Sequence, residues 1–226
     1  MARESGTDED GKLRRLPPGR HGLSREFVTR NQRERLIAGL IRSLYEVGYQ
    51  KTTVSLIGQK AAVSKSDFYK HFDSKDDCFV AAYDEAIARI RERVRSACDE
   101  APPGEWVRRI RNGIAALLDT FAADPPLAGI ALVEGLRAGR GVYDRYQVAV
   151  DAFVGDLRQG APPTPQGGEV PEATDEAVVG GIASLLGRRV LAGEAEQIRS
   201  LLPEVLEFAL APYLGAEEAR RIGSAG

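Results

Sequence analysis

Apolar positions first fall into a helical rhythm after Thr29. Leu36, Ile37, Leu40, Ile41 and Leu44 recur at the i, i+1, i+4, i+5, i+8 spacing of one stripe, with Thr29 and Gln32 placed as a capping box and Gly48 as a stop. Thr52 or Thr53 can cap a short helix over residues 54–60 that turns Val54, Ile57 and Ala61 inward. A second short helix opens at Ser64, with Asp67 three residues on to complete the box and Phe68 and Phe72 as its buried side. Ser74 and Asp77 repeat the box. The helix they open runs to about residue 100, with Phe79, Ala82, Ala86, Ile87, Ile90 and Val94 on one side and Arg89, Arg91, Arg93 and Arg95 interleaved.

The same period continues to the end of the chain. Pro102-Pro103-Gly104 breaks it, and a helix from about residue 105 then carries Trp106, Ile110, Ile114, Leu117, Leu118 and Phe121 as far as Pro125-Pro126. A shorter helix is expected over 127–138, and Gly139-x-Gly141 turns into one holding Tyr143, Tyr146, Val150, Phe153 and Leu157. Residues 160–171 (GAPPTPQGGEVP) read as a loop. Beyond it, a helix over 174–192 starts with Thr174, Asp175 and Glu176 and has a small-residue side (Gly180, Gly181, Ala183, Ser184, Gly187) beside Ile182, Leu185 and Leu186. The last, over 200–214, places Leu202, Leu206, Ala209, Leu210 and Tyr213 on one stripe. The fold class is therefore all-α. Two short helices joined by Ala61-Ala62-Val63 and propped on a longer one form an N-terminal helix-turn-helix three-helix domain over 23–75, and a helical bundle follows over 76–226.

Composition agrees with a globular protein: 226 residues, 43% apolar and 28% charged, supply material for a real core. Cys78 and Cys98 fall in one expected helix, about 30 Å apart by helical rise, too far to bridge within a chain. With no leader-like apolar run and no uninterrupted apolar stretch of about 18 residues, the expected setting is a reducing cytoplasm. Charge changes the picture more. Residues 1–11 carry −3, residues 12–75 carry +9 and residues 76–226 carry −8, and all six lysines and both histidines precede residue 76. Residues 1–22 read as an arm, polar and expected to be disordered at first, then basic and proline-broken (KLRRLPPGRHG), able to track phosphates. A basic block joined to an acidic remainder suits a polyanion-binding module; a solvated helical face is the plainer reading of the same charges.

The second short helix sharpens the choice. With Phe68 and Phe72 inward, its other face presents Lys65, Ser66, Tyr69 and Lys70, cations and hydroxyls suited to phosphate oxygens and base edges, with Ser64 at its start and Lys75 just beyond its end. Asp67 can accept from a cytosine amino group or simply complete the capping box. His71 reads as a packed or phosphate-adjacent residue, since no partner stands at metal-ligand spacing.

Gly48-Tyr49-x-x-Thr52-Thr53-Val54-x-x-Ile57, Ala61-Ala62-Val63-Ser64 and Phe68-Tyr69-x-His71-Phe72-x-Ser74-Lys75 resemble the DNA-binding signature of the TetR family of transcriptional regulators over about 45 residues. The flanking stretches from Pro17 to Ser24 and from Cys78 to Asp84 are similar to actinobacterial members. The resemblance implies a homodimer that reads a palindromic operator in double-stranded DNA, and a helical C-terminal domain that binds a small molecule and dimerises. It makes Thr52 or Thr53, Tyr69 and Lys75 phosphate contacts and directs Lys65, Ser66 and Lys70 at bases. Two positions depart from the pattern: Ala62 stands where a turn glycine is usual, and Gly58 where a helical alanine is. Together they suggest a looser hairpin.

Residues 79–226 contain no histidine and no lysine, and Cys98 is their only cysteine, so the common nucleophile–base pairs and His/Cys metal sites cannot be assembled there. No phosphate-cradling glycine motif is present. The expectation is a regulator, not an enzyme, without cofactor or metal. Trp106, Ile114, Phe121, Tyr143, Tyr146 and Phe153 can line an apolar or aromatic effector pocket, with Tyr143, Tyr146 or Arg137 as polar anchors; taken singly, each of the six is better explained as core. Ile182, Leu185, Leu186, Leu202, Leu206 and Leu210 fit a dimer seam, or the core of a monomer. The function expected is a repressor released by a small hydrophobic ligand through the helix after residue 75; the competing readings are a helical interaction scaffold and a DNA binder without sequence preference.

Overall fold

The computed structural model describes residues 24–136 and 140–225; the arm over 1–22, Arg137 and Gly139 lie outside the described residues. The described residues form helices α1 (Arg25–Lys51), α2 (Val54–Ala61), α3 (Lys65–Phe68), α4 (Lys75–Asp99), α5 (Trp106–Ala123), α6 (Pro125–Leu132), α7 (Arg140–Arg158), α8 (Glu172–Leu191), α9 (Leu202–Leu214) and α10 (Ala216–Ser224), with 3-10 turns at Glu134–Leu136 and Ala195–Leu201, and no strand. They group into two compact units divided after Ala82, beyond the expected boundary at Lys75.

In the first unit Ser24 caps α1, its Oγ accepting from the Phe27 N–H, and the stripe Leu36, Ile37, Leu40 and Leu44 is buried. Gly48, at φ 74°, breaks the helical path where the sequence places a stop. Helix α2 crosses α1 at Gly39, where a Cβ would lie 2.9 Å from the Ile57 carbonyl oxygen. The turn after α2 closes as a left-handed C-cap: Ala62 sits at φ 50°, ψ 47°, and the Val63 N–H reaches back to the Gly58 carbonyl at 2.9 Å. Ala62 thus holds the positive φ that a glycine at this turn would adopt without strain. At Gly58 the structure reverses the expected looseness, because a Cβ there would fall 2.7 Å from the Val63 carbonyl oxygen. This glycine is a condition of close packing, not a slack point.

The second unit gathers the later turns of α4 and the helices after it. A core of Trp106, Ile110, Leu157, Val178, Leu206, Leu210 and Tyr213 draws on α5, α7, α8 and α9. Pro125 and Pro126 open α6 instead of only ending α5, since Asp124 caps it by accepting from the Leu127 N–H at 3.1 Å. The helix expected over 200–214 is present as α9, preceded by a 3-10 turn, and a further helix, α10, follows it, set off by Gly215 at φ 83°. Asp175, expected as a dipole-complementing residue at the start of α8, is 0% exposed. Its carboxylate accepts from Arg158 of α7 at 2.7 Å and from the Tyr213 hydroxyl of α9 at 2.5 Å, tying three helices.

Two stability outcomes are expected. Gly58→Ala should destabilise the first unit by about 1–3 kcal/mol through overpacking, whereas Ala62→Gly should stabilise it by up to about 1 kcal/mol by relieving the left-handed alanine; urea unfolding followed by circular dichroism separates the signs. Asp175→Ala should cost about 3 kcal/mol, because it strands a buried hydroxyl and removes a charge partner. Trp106, the single tryptophan, reports that loss by fluorescence in urea.

Candidate functional site

The first unit exposes a compact set of donors around α3. Ser64 caps this helix, its Oγ accepting from the Asp67 N–H at 3.0 Å and donating to the Asp67 carboxylate at 2.7 Å. Lys65, Ser66 and Tyr69 are exposed together. Regular helix ends at Phe68, and turns continue to Phe72, with the His71 N–H bonded to the Phe68 carbonyl. Both phenylalanines are buried, as their spacing requires, with ring centroids 5.7 Å apart. Lys70 is exposed but paired to Asp67 at 2.7 Å. That pairing, with the Ser64 hydroxyl, holds the Asp67 carboxyl below its ordinary range, so it remains an acceptor committed to capping.

Thr52 and Thr53 separate cleanly. Thr52 is only 2% exposed and its hydroxyl donates to the Gly48 carbonyl at 2.8 Å, which takes it out of reach of a phosphate and corrects the expectation for that residue. Thr53 is exposed and caps α2 by accepting from the Leu56 N–H. Lys75 is half-buried: its ammonium donates to the Tyr49 carbonyl at 3.0 Å and lies 3.9 Å from the centre of the Tyr49 ring. The Tyr49 hydroxyl donates to Asp76, and burial together with that carboxylate pushes the phenol upward, keeping it a donor.

Residues that position this surface escaped the sequence reading. Arg35, buried on α1, donates to the carbonyls of Ala61 and Ala62, the latter at 2.9 Å, and so caps α2 from below. Arg33 lies over the Phe72 ring at 5.2 Å, and His71 Nε2 meets Gln32 Oε1 at 3.2 Å. Burial draws the His71 imidazole below its ordinary value. A charged residue beside an apolar stripe is the only local sign of Arg35, and it does not distinguish a buried cap from a solvated arginine. Among the described residues no three His, Cys, Asp or Glu side chains gather as metal ligands.

The second unit contains a cavity of about 140 Å³ between its helices, walled by Val94 and Cys98 of α4, Ile110, Gly113, Ile114, Leu117 and Phe121 of α5, Phe153 and Asp156 of α7, and Val178, Ile182, Ala183 and Leu186 of α8 among others. Ile114, Phe121 and Phe153 are among the lining residues. Trp106, Tyr143 and Tyr146 do not: the Trp106 indole N–H donates to the Leu157 carbonyl at 3.0 Å and its ring packs on Tyr213, while Tyr143 is half exposed and stacks on Tyr146. The seam residues are also redistributed. Leu186 is 0% exposed at the cavity wall, Leu206 and Leu210 are buried in the core, and Ile182 lines the cavity while staying partly exposed. Leu185 and Leu202 are partly exposed. The outer face of α8 and α9 instead shows Gly180, Ser184, Leu191 and Phe208, the last 49% exposed with its ring 3.0 Å from where a Gly181 Cβ would stand.

Comparison with known proteins supports both halves. Residues 36–82 match the family model described as bacterial regulatory proteins, tetR family. The HTH-type transcriptional repressor DhaR of Mycobacterium sp. (strain GP1) is 31% identical over 104 residues, which make up 45% of this chain and 51% of that protein. The chain thus spans about half the length of the curated relatives it matches or less. Among solved structures, the regulator FadR of Bacillus subtilis in complex with stearoyl-CoA superposes with a TM-score of 0.67 over 79% of this chain and 98% of its own at 16% identity. A TetR-like transcriptional regulator from Rhodococcus sp. RHA1 does so with 0.59 over 84% and 97% at 19% identity. These similar proteins are named as regulators and not as enzymes. On the helix-turn-helix geometry and the family match, residues 36–82 are a segment of the kind found in bacterial regulatory proteins of the tetR family, and the described residues share the fold of the solved regulators.

Proposed function

We propose that this protein is a homodimeric transcriptional repressor that reads a palindromic operator in double-stranded DNA and releases it on binding a small apolar effector. The observation that carries the first part is the exposed cluster of Ser64, Lys65, Ser66 and Tyr69 on a hairpin whose turn is fixed by Arg35 and Gly58. Lys65 and Ser66 meet base edges; Thr53, Ser64 and Tyr69 meet phosphates. Lys70 stands beside them once it exchanges Asp67 for DNA, and Lys75 braces Tyr49 while adding charge near the backbone. A regulator of DNA acts where the DNA is, in the cytoplasm of a bacterium.

Two copies meet across the outer face of α8 and α9, where small residues permit close approach and Phe208 offers a half-exposed ring. The effector occupies the cavity of the second unit, whose apolar wall matches an apolar ligand. The stearoyl-CoA held by the B. subtilis FadR structure is in keeping with an apolar moiety in this fold. Helix α4 supplies Val94 and Cys98 to that wall and begins at Lys75 in the first unit, so an effector that favours one placement of α4 shifts the population competent for DNA.

Selection of bound duplexes from a random DNA pool at near-physiological salt tests the reading: an inverted repeat with half-sites about one helical turn, 34–36 Å, apart is expected, and retention without a common sequence contradicts it. On the selected site Lys65→Ala should change which bases are preferred, whereas Lys75→Ala should weaken all duplexes and flatten the salt dependence by about one counterion. Phe208→Glu should yield monomers in analytical ultracentrifugation and lose the paired half-site preference while Trp106 fluorescence keeps its folded signal.

A further inference from the structure

Apart from the Cys98 thiol, the described side chains that wall the cavity of the second unit are hydrocarbon except at one place. Asp156 of α7 is the single carboxylate among the residues that line it, and its Oδ2 accepts from Arg91 Nη2 of α4 at 3.3 Å. Arg91 precedes Val94 and Cys98, both lining residues, by three and seven positions, which places all three along one side of α4. The Arg91 guanidinium is only partly engaged. Its Nε–H is buried and meets no acceptor among the described residues, whereas nearly all buried N–H groups are paired. A buried donor without an acceptor, one ion pair away from an apolar space of small-molecule size, lacks only a ligand atom to complete it.

We infer that Arg91 is the polar anchor of the effector, and that the effector is a small apolar molecule bearing a carbonyl-type oxygen that accepts from the Arg91 Nε–H while its hydrocarbon part fills the cavity. This deepens the effector-cavity reading above and rests on it. A cationic ligand is disfavoured, because the acid it needs, Asp156, is already held by Arg91, and displacing it leaves the guanidinium unpaired. A ligand oxygen shared with Asp156 acts on Arg91 itself, and Arg91 belongs to the helix that leads from the DNA-binding unit.

The test titrates the full chain with heptane, 2-heptanone and heptylamine, followed by the fluorescence of Trp106, which shares the core cluster with Ile110 and Leu157 of the cavity wall. The ketone is expected to bind at least about tenfold more tightly than heptane, the size of effect that one hydrogen bond to a charged donor supplies, and the ammonium least tightly. Arg91→Lys keeps a cation for Asp156 but has no Nε–H, so the ketone preference should fall below about twofold while heptane affinity holds. The double variant Arg91→Met, Asp156→Asn removes both charges together and should behave likewise. If it does not fold, Arg91→Lys alone decides. Equal binding of ketone and heptane by the unmodified protein, or a ketone preference that survives Arg91→Lys, overturns the anchor and leaves the cavity reading standing. Failure of all three probes to bind overturns both.

Discussion

The exposed cluster around α3 depends on a contact of backbone against backbone. Helix α2 lies so close to α1 at Gly39, and the turn after it so close to Gly58, that neither site has room for a methyl group. Such proximity leaves the carbonyls at the end of α2 turned away from water, and the Arg35 guanidinium supplies them with donors from within the unit. The same bonds hold Ala62 in a left-handed conformation that an alanine does not choose by itself. A short α3 of one turn is aimed by this arrangement and not by its own helical stability, which at that length is negligible.

The second unit solves a similar problem with different side chains. The last carbonyls of α7 would be orphaned where the chain turns into the loop after it, and they receive the Trp106 indole N–H and the Arg109 guanidinium from α5. Among these same residues, Arg158 reaches Asp175 and through it Tyr213. Leu157, Val178 and Ala209, neighbours of these polar residues along their helices, line the cavity. Polar ties at one end of α7, α8 and α9 thus leave an apolar opening beside them, which tight packing of leucines alone would close.

Elements with a strong period or a chemical stop were legible from sequence. The stripe of α1, the caps at Thr53 and Ser64, the inward phenylalanines and the Pro-Pro-Gly break all stand where spacing and capping chemistry put them. What escaped depended on which side of a helix meets which neighbour. Helix α8 carries Ile182, Leu185 and Leu186 beside glycine and serine, and hydropathy does not tell which side meets a neighbour; the structure buries Leu186 and Gly187, leaves Leu185 half-buried and exposes Ser184 and Leu191. Trp106 is an aromatic at helical spacing like Phe121, and only its indole N–H, which requires a partner, distinguishes a core role from a lining one. Arg35, Arg91 and Asp175 gave no periodic sign, because a buried charge is defined by partners distant in sequence.

The segregation of cations by type has a consequence for acidity. Beyond Lys75 every side-chain cation is an arginine, and no histidine follows His71. Guanidinium groups keep their charge throughout the range in which proteins stay folded, so the positive charge of the effector unit is fixed. The buried Cys98 thiol is pushed upward and stays neutral near pH 7. Among the described residues the imidazole of His71, set between Gln32 and the end of the recognition turn, is the group whose ordinary titration range lies at the mildly acidic edge of physiological pH. Burial draws that imidazole lower still, so a modest drop in pH leaves the positive charge of both units almost unchanged.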